Sequence, residues 1–251
     1  MNFMVRPSKS FLFDLLESKL CRLSGEVGLD AACDNMKNRR MFKTKKYIGL
    51  DINLETLIKV SSKSTVLQSQ QLYSVHADMA NLNGLTKNSC DVVVSTNTIY
   101  QIPKNLQANV ILNLCEMVNS RGTFICELSL NDQFDELLAI IKKYFVKMQI
   151  YYYKNWLSQK YEKIFERDGY LGSHPIASKK FFRFLAWLIS RGEFLTYRNR
   201  RGKKHAVIIA TARHEAKDEV FSLSGVPIVA GNIYSLFEYQ RNINDNDDKK
   251  N

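Results

Sequence analysis

Residues 26–52 constrain the fold more than any other part of the chain. A short apolar run leads to Asp30, a tight stretch of small residues follows, and a second apolar run ends in Asp51. The basic stretch between them, residues 37–46, predicts a crossover helix and the loop after it. Two strands joined by such a crossover form a right-handed βαβ unit, and open α/β sheets bind ligands at the carboxyl ends of their strands. Asp51 follows Asp30 by about 20 residues, the spacing of an acidic residue that binds a ribose.

Further patterns follow in a fixed order along the first half of the chain. They are a turn at 28–36 (GLDAACDNM), the acidic end of the second strand at Asp51, an Ala77-Asp78 pair after the third strand, a fourth strand at 90–95 (CDVVVS), a helix at 105–118, a turn at 120–122 and a fifth strand at 123–128. In this order the chain resembles a class I S-adenosylmethionine-dependent methyltransferase of the small-molecule, type 11-like kind. That family has three glycines in the first turn, where this chain has Ala32, Asp34 and Met36.

The resemblance implies an α/β fold. Its core would be a Rossmann-like, seven-stranded, mostly parallel sheet with an antiparallel last strand and helices on both faces. A helical insertion at 154–204 would separate strands six and seven. We expect a methyltransferase-like domain over residues 1–213, a C-terminal extension over 214–241, and a disordered polar tail over 242–251.

The resemblance also implies S-adenosylmethionine as the cofactor and S-adenosylhomocysteine as the product. On this basis Asp51 would hold the ribose hydroxyls and Asp78 with Met79 would contact the adenine. Asp30 and Ala32 would line the methionine end. The complete set of cofactor-binding candidates is Asp30, Ala32, Asp34, Asp51, Ile52, Asp78, Met79 and Ser95.

The replaced glycines leave two functions open. Glycine permits unusual backbone angles and lets a cofactor approach the main chain closely. Asp34 instead adds a negative charge near the cofactor carboxylate, and Met36 adds bulk where a helix would pack on the strand. The first hypothesis is an enzyme that methylates a small-molecule, glycan-linked or lipid-linked acceptor. The second is a catalytically degenerate methyltransferase-like binding or scaffold protein.

Net charge and cysteine spacing limit which ligands and partners are expected. The formal net charge of +11 predicts an anionic partner, such as a phosphate-bearing metabolite, an anionic lipid or nucleic acid. A nucleic-acid methyltransferase ranks third, because residues 95–98 (STNT) lack the expected N/D-P-P-Y/F tetrapeptide. The five cysteines contain no C-x-x-C pair, so neither a metal site nor a disulfide framework is indicated. With no signal-peptide pattern and no long apolar window, we expect a cytoplasmic protein. The sequence leaves the oligomeric state open.

The insertion is rich in aromatic and basic residues. Its segment 178–191 (SKKFFRFLAWLISR) is apolar around most of its circumference. One interpretation is a lid helix buried on the sheet or on a partner subunit. The other is an interfacial helix on the inner face of a membrane, with residues 178–204 near anionic headgroups.

Candidates for the acceptor side come from three stretches. His174 lies in the insertion, in a loop expected to overhang the pocket, and with Tyr100 is a candidate for catalysis. The substrate-binding candidates are Asn97, Tyr100, Arg200 and Arg201. The sequence alone identifies no catalytic base.

Overall fold

The computed structural model describes residues 4–62, 70–165, 175–214 and 216–248. The helices are α1 (Pro7–Leu20), α2 (Leu54–Ser61), α3 (Lys104–Met117), α4 (Phe134–Tyr144), α5 (Trp156–Phe165), α6 (Lys180–Thr196) and α7 (Leu236–Asp248). The strands are β1 (Ser24–Ala31), β2 (Lys43–Asp51), β3 (Gln71–His76), β4 (Cys90–Ser95), β5 (Val118–Ser129), β6 (Phe145–Tyr153), β7 (His205–Arg213), β8 (Ile228–Ala230) and β9 (Ile233–Ser235).

One sheet runs through the described part of the chain. Its nine strands follow the order β6-β7-β5-β4-β1-β2-β3-β9-β8. The five strands β1 to β5 are parallel, and β7 lies between β5 and β6, antiparallel to both. The predicted Rossmann-like sheet, its antiparallel last strand and the helical insertion before that strand are therefore confirmed.

Helices cover the central strands on both faces. Successive side chains of a strand point to opposite faces, so a strand buried on both sides must be apolar throughout. In β4, Val92 and Val94 pack in the cluster that contains α1, whereas Val93 packs in the cluster that contains α3 and α4. The apolar middle of β4 therefore suits a central strand, and its polar side chains, Asp91 and Ser95, lie near its two ends.

The C-terminal extension adds to the sheet, so the predicted seven strands were two too few. β9 pairs in parallel with β3, and β8 pairs antiparallel with β9. Phe221, Val226 and Leu236 of the extension are buried in the same core as α3. The structure describes residues 242–248 as the end of α7, and the disordered tail stays a prediction. Residues 249–251 lie outside the described residues.

The crossover helix predicted over residues 37–46 is a second correction. Between β1 and β2 the chain forms only a 3-10 turn at Arg39–Met41, and β2 already begins at Lys43. Lys43 and Lys45 are exposed while Thr44 between them is buried, which is the two-residue period of a strand. The basic run of residues 43–46 is therefore the start of a strand and not part of a helix.

Side chains of the link close the face of β2 that the missing helix would have covered. Met36, Met41 and Phe42 are buried in the same cluster as α1. Gly49 of β2 leaves room for Met36, because a Cβ at Gly49 would lie 2.8 Å from Met36 Cε. Phe42 meets the ring of Tyr47 edge-on, with centroids 5.1 Å apart. Apolar packing from a loop therefore replaces helix-on-sheet packing at this position.

Met36 is both buried and held at a φ of 54°, so two substitutions separate these effects. We expect Met36→Ala to lower the free energy of unfolding by about 2–4 kcal/mol through lost packing. Met36→Gly loses the same contacts but relieves the left-handed backbone, and we expect it to be about 1 kcal/mol less destabilising than Met36→Ala. Urea denaturation of both variants measures the difference.

Met41 provides the matched control, because it is buried in the same cluster with a negative φ. There Met41→Gly should be more destabilising than Met41→Ala, since glycine only adds freedom to the unfolded chain. The same order at both positions would contradict backbone strain at Met36.

Candidate functional site

The candidate site lies at the carboxyl edge of the parallel strands, where open α/β sheets bind their ligands. A cavity of about 900 Å³ opens there. Its volume is near the upper end of the range for small-molecule sites, about 300–1,000 Å³. One half of the cavity is lined by the segments that follow β1, β2, β3 and β4, and the other half by α1, β5, β6, α5, α6 and β7.

The loop after β1 keeps the backbone of a glycine-rich turn without any glycine. Ala32, Asp34 and Met36 have φ angles of 60°, 45° and 54°. For a residue with a Cβ, this left-handed conformation costs about 1–2 kcal/mol. All three positions where the family has glycine therefore adopt the conformation that glycine favours. Strain of this kind persists where surrounding contacts impose it, and it concentrates at functional sites.

Asp51 supplies one of those contacts. Its Oδ2 accepts a hydrogen bond from the backbone N–H of Asp34 at 2.8 Å, and its Oδ1 accepts one from the N–H of Asn53 at 2.9 Å. The Asp51 carboxylate thus ties the loop after β1 to the end of β2. The side chain also lines the cavity, and each of its oxygens has a second lone pair available for a ligand hydroxyl.

Asp30 is placed differently from the prediction. Its side chain is 1% exposed and does not belong to the cavity lining. It accepts hydrogen bonds from Tyr47 Oη at 2.7 Å and Asn38 Nδ2 at 3.1 Å. Burial raises the pKa of Asp30 to about 6, although both hydrogen bonds oppose the shift. Asp30 therefore supports the loop from beneath instead of lining the methionine end.

Of the remaining cofactor-binding candidates, three line the cavity and one is buried away from it. Ile52, Asp78 and Met79 line the cavity. Asp78 Oδ1 accepts a hydrogen bond from the N–H of Ala80 at 2.8 Å, which fixes the turn after β3. Ser95 is fully buried, with its hydroxyl 3.8 Å from the Met79 sulfur, and does not line the cavity.

The second half of the cavity is polar and charged. Its basic side chains are Arg6, Lys9, Lys154 and Arg183, and its acidic ones are Glu127 and Glu162. Glu162 is held by Lys154 at 3.0 Å and by the backbone N–H of Ser8 at 3.0 Å. Burial lowers the pKa of Lys9, an effect opposed by the charge of Glu127.

Glu127 is the centre of this half. It is 1% exposed, and its Oε2 accepts a hydrogen bond from the N–H of Asn97 at 2.7 Å. Its Oε1 accepts the hydroxyl of Tyr153 and lies 3.1 Å from His205 Nδ1. Burial alone would raise the pKa of Glu127, but His205 and Tyr153 outweigh it, so the pKa is lowered. A buried carboxylate therefore faces an imidazole inside the cavity.

The acceptor-side predictions met different outcomes. Asn97 and Tyr100 line the cavity, and their role in substrate binding stays a prediction. Arg200 and Arg201 do not line it, and Arg200 instead pairs with Asp135 at 3.0 Å on the surface of α4. His174 lies outside the described residues.

Sequence analysis missed Lys9, Glu127, Tyr153 and His205. For two of them the sequence contains a recognisable pattern, an ionisable residue within or beside an apolar strand. Glu127 is an acidic residue inside the apolar run ICELS, and His205 begins the apolar strand HAVIIATA. A charged residue in a buried strand needs a partner, and strand ends at this edge face the site.

The aromatic insertion covers α1. Phe194 of α6 packs on Phe11, with ring centroids 4.5 Å apart, and Ser190 Oγ lies 3.3 Å from Ser10 Oγ. The opposite side of α6 is exposed, including Phe181 at 68% and Phe184, Leu188 and Leu195. One side of the helix is thus buried, and the other is open.

The family comparison concerns the first five strands. Residues 28–126 match a family model described as a methyltransferase domain. This match confirms the resemblance to class I methyltransferases for the part of the chain that builds the first half of the cavity. The cofactor used by this family is S-adenosylmethionine, as predicted. No protein with a curated description matches the sequence.

Solved structures show the same fold at low identity. The geranyl diphosphate C-methyltransferase from Streptomyces coelicolor A3(2) is 12% identical with a TM-score of 0.51, over 81% of this chain and 80% of that one. A SAM dependent methyltransferase from Archaeoglobus fulgidus is 12% identical with a TM-score of 0.50, over 81% of this chain and 92% of that one. The cyclase SpnF is 10% identical with a TM-score of 0.50, over 80% of both chains. These similarities establish the methyltransferase fold and leave the acceptor undefined.

Two features are absent from the described ranges. No helix there has the length and apolar character needed to cross a membrane. No group of three or more His, Cys, Asp or Glu side chains in those ranges is arranged to hold a metal ion.

The raised pKa of Asp30 predicts a pH dependence of stability. The folded chain binds this proton more tightly than the unfolded chain, whose aspartate pKa is 3.8, so the stability contribution of Asp30 falls as the pH rises between these values. The loss is about 3 kcal/mol once the pH exceeds about 6. We expect Asp30→Asn to remove most of this slope, measured as unfolding free energies at about pH 4 and about pH 7.5. Equal slopes for the two proteins would contradict the shifted pKa.

Proposed function

We propose that this chain transfers a methyl group from S-adenosylmethionine to an anionic acceptor, which is a small molecule or is linked to a glycan or a lipid. The observation that carries the proposal is the continuous cavity with two unlike halves. One half has the strand-end residues of a methyltransferase domain, and the other has several basic side chains and a carboxylate–imidazole pair. A methyl donor and an acceptor need such adjoining sites.

The first half fits the cofactor in three respects. The loop after β1 has positive φ angles at the three positions where the family has glycine. Asp51 lines the cavity at the end of β2, and Ile52 with Met79 offers apolar surface for an adenine. When bound, S-adenosylmethionine supplies a methyl group on a positively charged sulfur, which is already electrophilic. The protein then has to orient the acceptor and exclude water.

The basic side chains support an anionic acceptor. Arg6, Lys9, Lys154 and Arg183 contribute to the lining, whereas Glu162 is already paired with Lys154. Arg183 Nε is buried and has no hydrogen-bond partner within the described part of the chain. A buried N–H that lacks a partner is costly, and a carboxylate or phosphate of the acceptor would satisfy it.

Calorimetric titration with S-adenosylhomocysteine tests the cofactor half. Ile52 lines the cavity and is 61% exposed, so a substitution there should leave the fold intact. We expect micromolar binding to the natural protein, and we expect Ile52→Asp to weaken it by about tenfold or more, which is about 1.4 kcal/mol. The control is Ile58→Asp on α2, which is 44% exposed and outside the cavity, and binding should be unchanged.

The scaffold alternative has its own supporting observation, the Asp34 side chain that lines the cavity. Absence of binding to S-adenosylhomocysteine in the natural protein, together with binding in Asp34→Gly, would favour that alternative. Glycine at this position removes the negative charge and suits a φ of 45°.

A lipid-linked acceptor is supported by the open side of α6. Phe181, Phe184 and Leu188 follow one another at helical spacing and are exposed. Arg183, on the same helix, reaches the cavity lining. An anionic bilayer would cover the apolar stripe and attract the basic residues around it, with the acceptor headgroup close to the cavity.

Vesicle sedimentation tests the membrane contact. We expect binding to vesicles that contain phosphatidylglycerol and little binding to vesicles of phosphatidylcholine alone. Phe181→Glu with Leu188→Glu should weaken the binding by about tenfold or more, because two apolar side chains are lost from the contact. Val220→Glu, in an 86% exposed loop position, is the control. Equal binding by both variants would contradict the contact through α6.

A further inference from the structure

Three elements that are distant in sequence converge on the Glu127 side chain. Asn97 follows β4, Tyr153 ends β6 and His205 begins β7. The backbone of Asn97 and the hydroxyl of Tyr153 donate hydrogen bonds to the carboxylate, one to each oxygen. Burial, reinforced by the charge of Glu127, raises the pKa of Tyr153 well above its ordinary value, so its hydroxyl remains a donor. The carboxylate is therefore held in one orientation, with His205 against its Oε1.

His205 is fixed by its neighbours while its ring still reaches the cavity. The ring lies between Tyr100, with centroids 5.2 Å apart, and Tyr153, with centroids 5.6 Å apart. Its side chain is 15% exposed and lines the cavity. A neutral imidazole has one donor and one acceptor nitrogen. Nδ1 lies 3.1 Å from Glu127 Oε1 without a well-aligned hydrogen bond in this structure. A carboxylate this close to Nδ1 favours the tautomer with the proton on Nδ1, which leaves Nε2 as the acceptor.

We propose that His205 is the general base of the methyl transfer, that Glu127 is its positioning residue, and that the acceptor atom is the oxygen of a hydroxyl group. The inference rests on the proposed function and specifies its acceptor. A hydroxyl is protonated at neutral pH and is a poor nucleophile until its proton is removed, so a base oriented by a carboxylate suits it.

The step balances without any further reactant. The O–H bond of the acceptor breaks, its electron pair remains on the oxygen, and the proton binds Nε2 of His205 to form an imidazolium beside the Glu127 carboxylate. The oxygen forms its new bond to the donated methyl carbon, and the electron pair of the former carbon–sulfur bond leaves with the sulfur. Glu127 stays ionised throughout and stabilises the imidazolium.

The cations around the pair complete the acceptor site. Lys9 Nζ donates to Asn97 Oδ1, next to the backbone N–H that Glu127 binds. Arg183 lines the same cavity with its unpartnered Nε. Either cation can stabilise the negative charge that develops on the oxygen. Lys9 is also the rival base, because burial lowers its pKa.

The tautomer of His205 tests the pair without an acceptor or a methyl donor. In protein labelled with ¹⁵N-histidine, the ring nitrogen shifts distinguish an Nδ1–H from an Nε2–H imidazole, and the spectrum of His205→Gln assigns the signal. We expect neutral His205 to carry its proton on Nδ1 and to lose that preference in Glu127→Gln, where an amide can donate to Nδ1. A natural protein with the proton on Nε2 would overturn the proposal.

Methyl transfer then tests the role of the base. The probes are tritiated S-adenosylmethionine with two matched sets of small anionic acceptors, one carrying a hydroxyl and the other a primary amine. We expect transfer to the hydroxyl set, reduced about 100-fold or more in His205→Gln, the range that general-base catalysis contributes. The control is His214→Gln, at an exposed residue just after β7 and outside the cavity, which should leave the rate unchanged.

Three other results would separately reject the role of His205, the hydroxyl acceptor and the proposed function. Natural-protein rates in His205→Gln, or a loss found only in Lys9→Gln, would overturn the role of His205. Transfer to amines alone, or to neither set while S-adenosylhomocysteine still binds, would overturn the assignment to hydroxyl acceptors. Failure of the natural protein to bind S-adenosylhomocysteine would instead reject the proposed function itself, whatever the tautomer of His205.

Discussion

The Asp51 carboxylate joins the two strands from which the cofactor side of the site is built. It accepts one backbone hydrogen bond from Asp34, in the loop after β1, and another from Asn53, ahead of α2. Both donors are backbone groups, so the interaction holds main chain to main chain and does not depend on the side chain at position 34. Hydrogen bonds from backbone N–H to an ionised carboxylate are among the stronger ones in proteins. They help to keep the loop in a conformation that its own residues disfavour.

Loss of the glycines therefore need not mean loss of the turn. Ala32, Asp34 and Met36 all have positive φ, and the packing around Met36 fits the larger side chain into the space above Gly49. The first crossover helix has been exchanged for a short link whose apolar side chains cover β2. In this chain, residues other than glycine adopt the positive φ angles of the loop, and side chains of the link pack on β2. What does change at the cavity is charge, because Asp34 places a carboxylate in its lining.

The two halves of the cavity differed in how far the sequence could predict them. The sequence placed Asp51, Asp78 and Met79 at the cavity because they lie at or just after the end of a recognisable strand, and a strand is a local pattern of about five residues. Asp30 satisfied the same pattern, yet it lies beneath the loop, bound to Tyr47. The position of a residue along a strand predicts the edge of the sheet that it reaches, but burial against a neighbouring strand decides whether it meets a ligand. The wrongly predicted crossover helix has a similar explanation. The alternation of exposed and buried residues from Lys43 to Lys45 spans fewer residues than one turn of helix, so the sequence pattern there does not distinguish a strand from a helix.

The sequence by itself determined the class of fold, the order of the central strands and the acidic residue that ends β2. These features depend on apolar periodicity and on residues adjacent in the chain, which the sequence displays directly. Only the tertiary structure decided the acceptor half of the cavity, together with the strands added by the C-terminal extension. Lys9, Glu127, Tyr153 and His205 come from four elements, and no local pattern links them. They meet because β7 inserts antiparallel between β5 and β6, which brings the start of one strand to the ends of the other two.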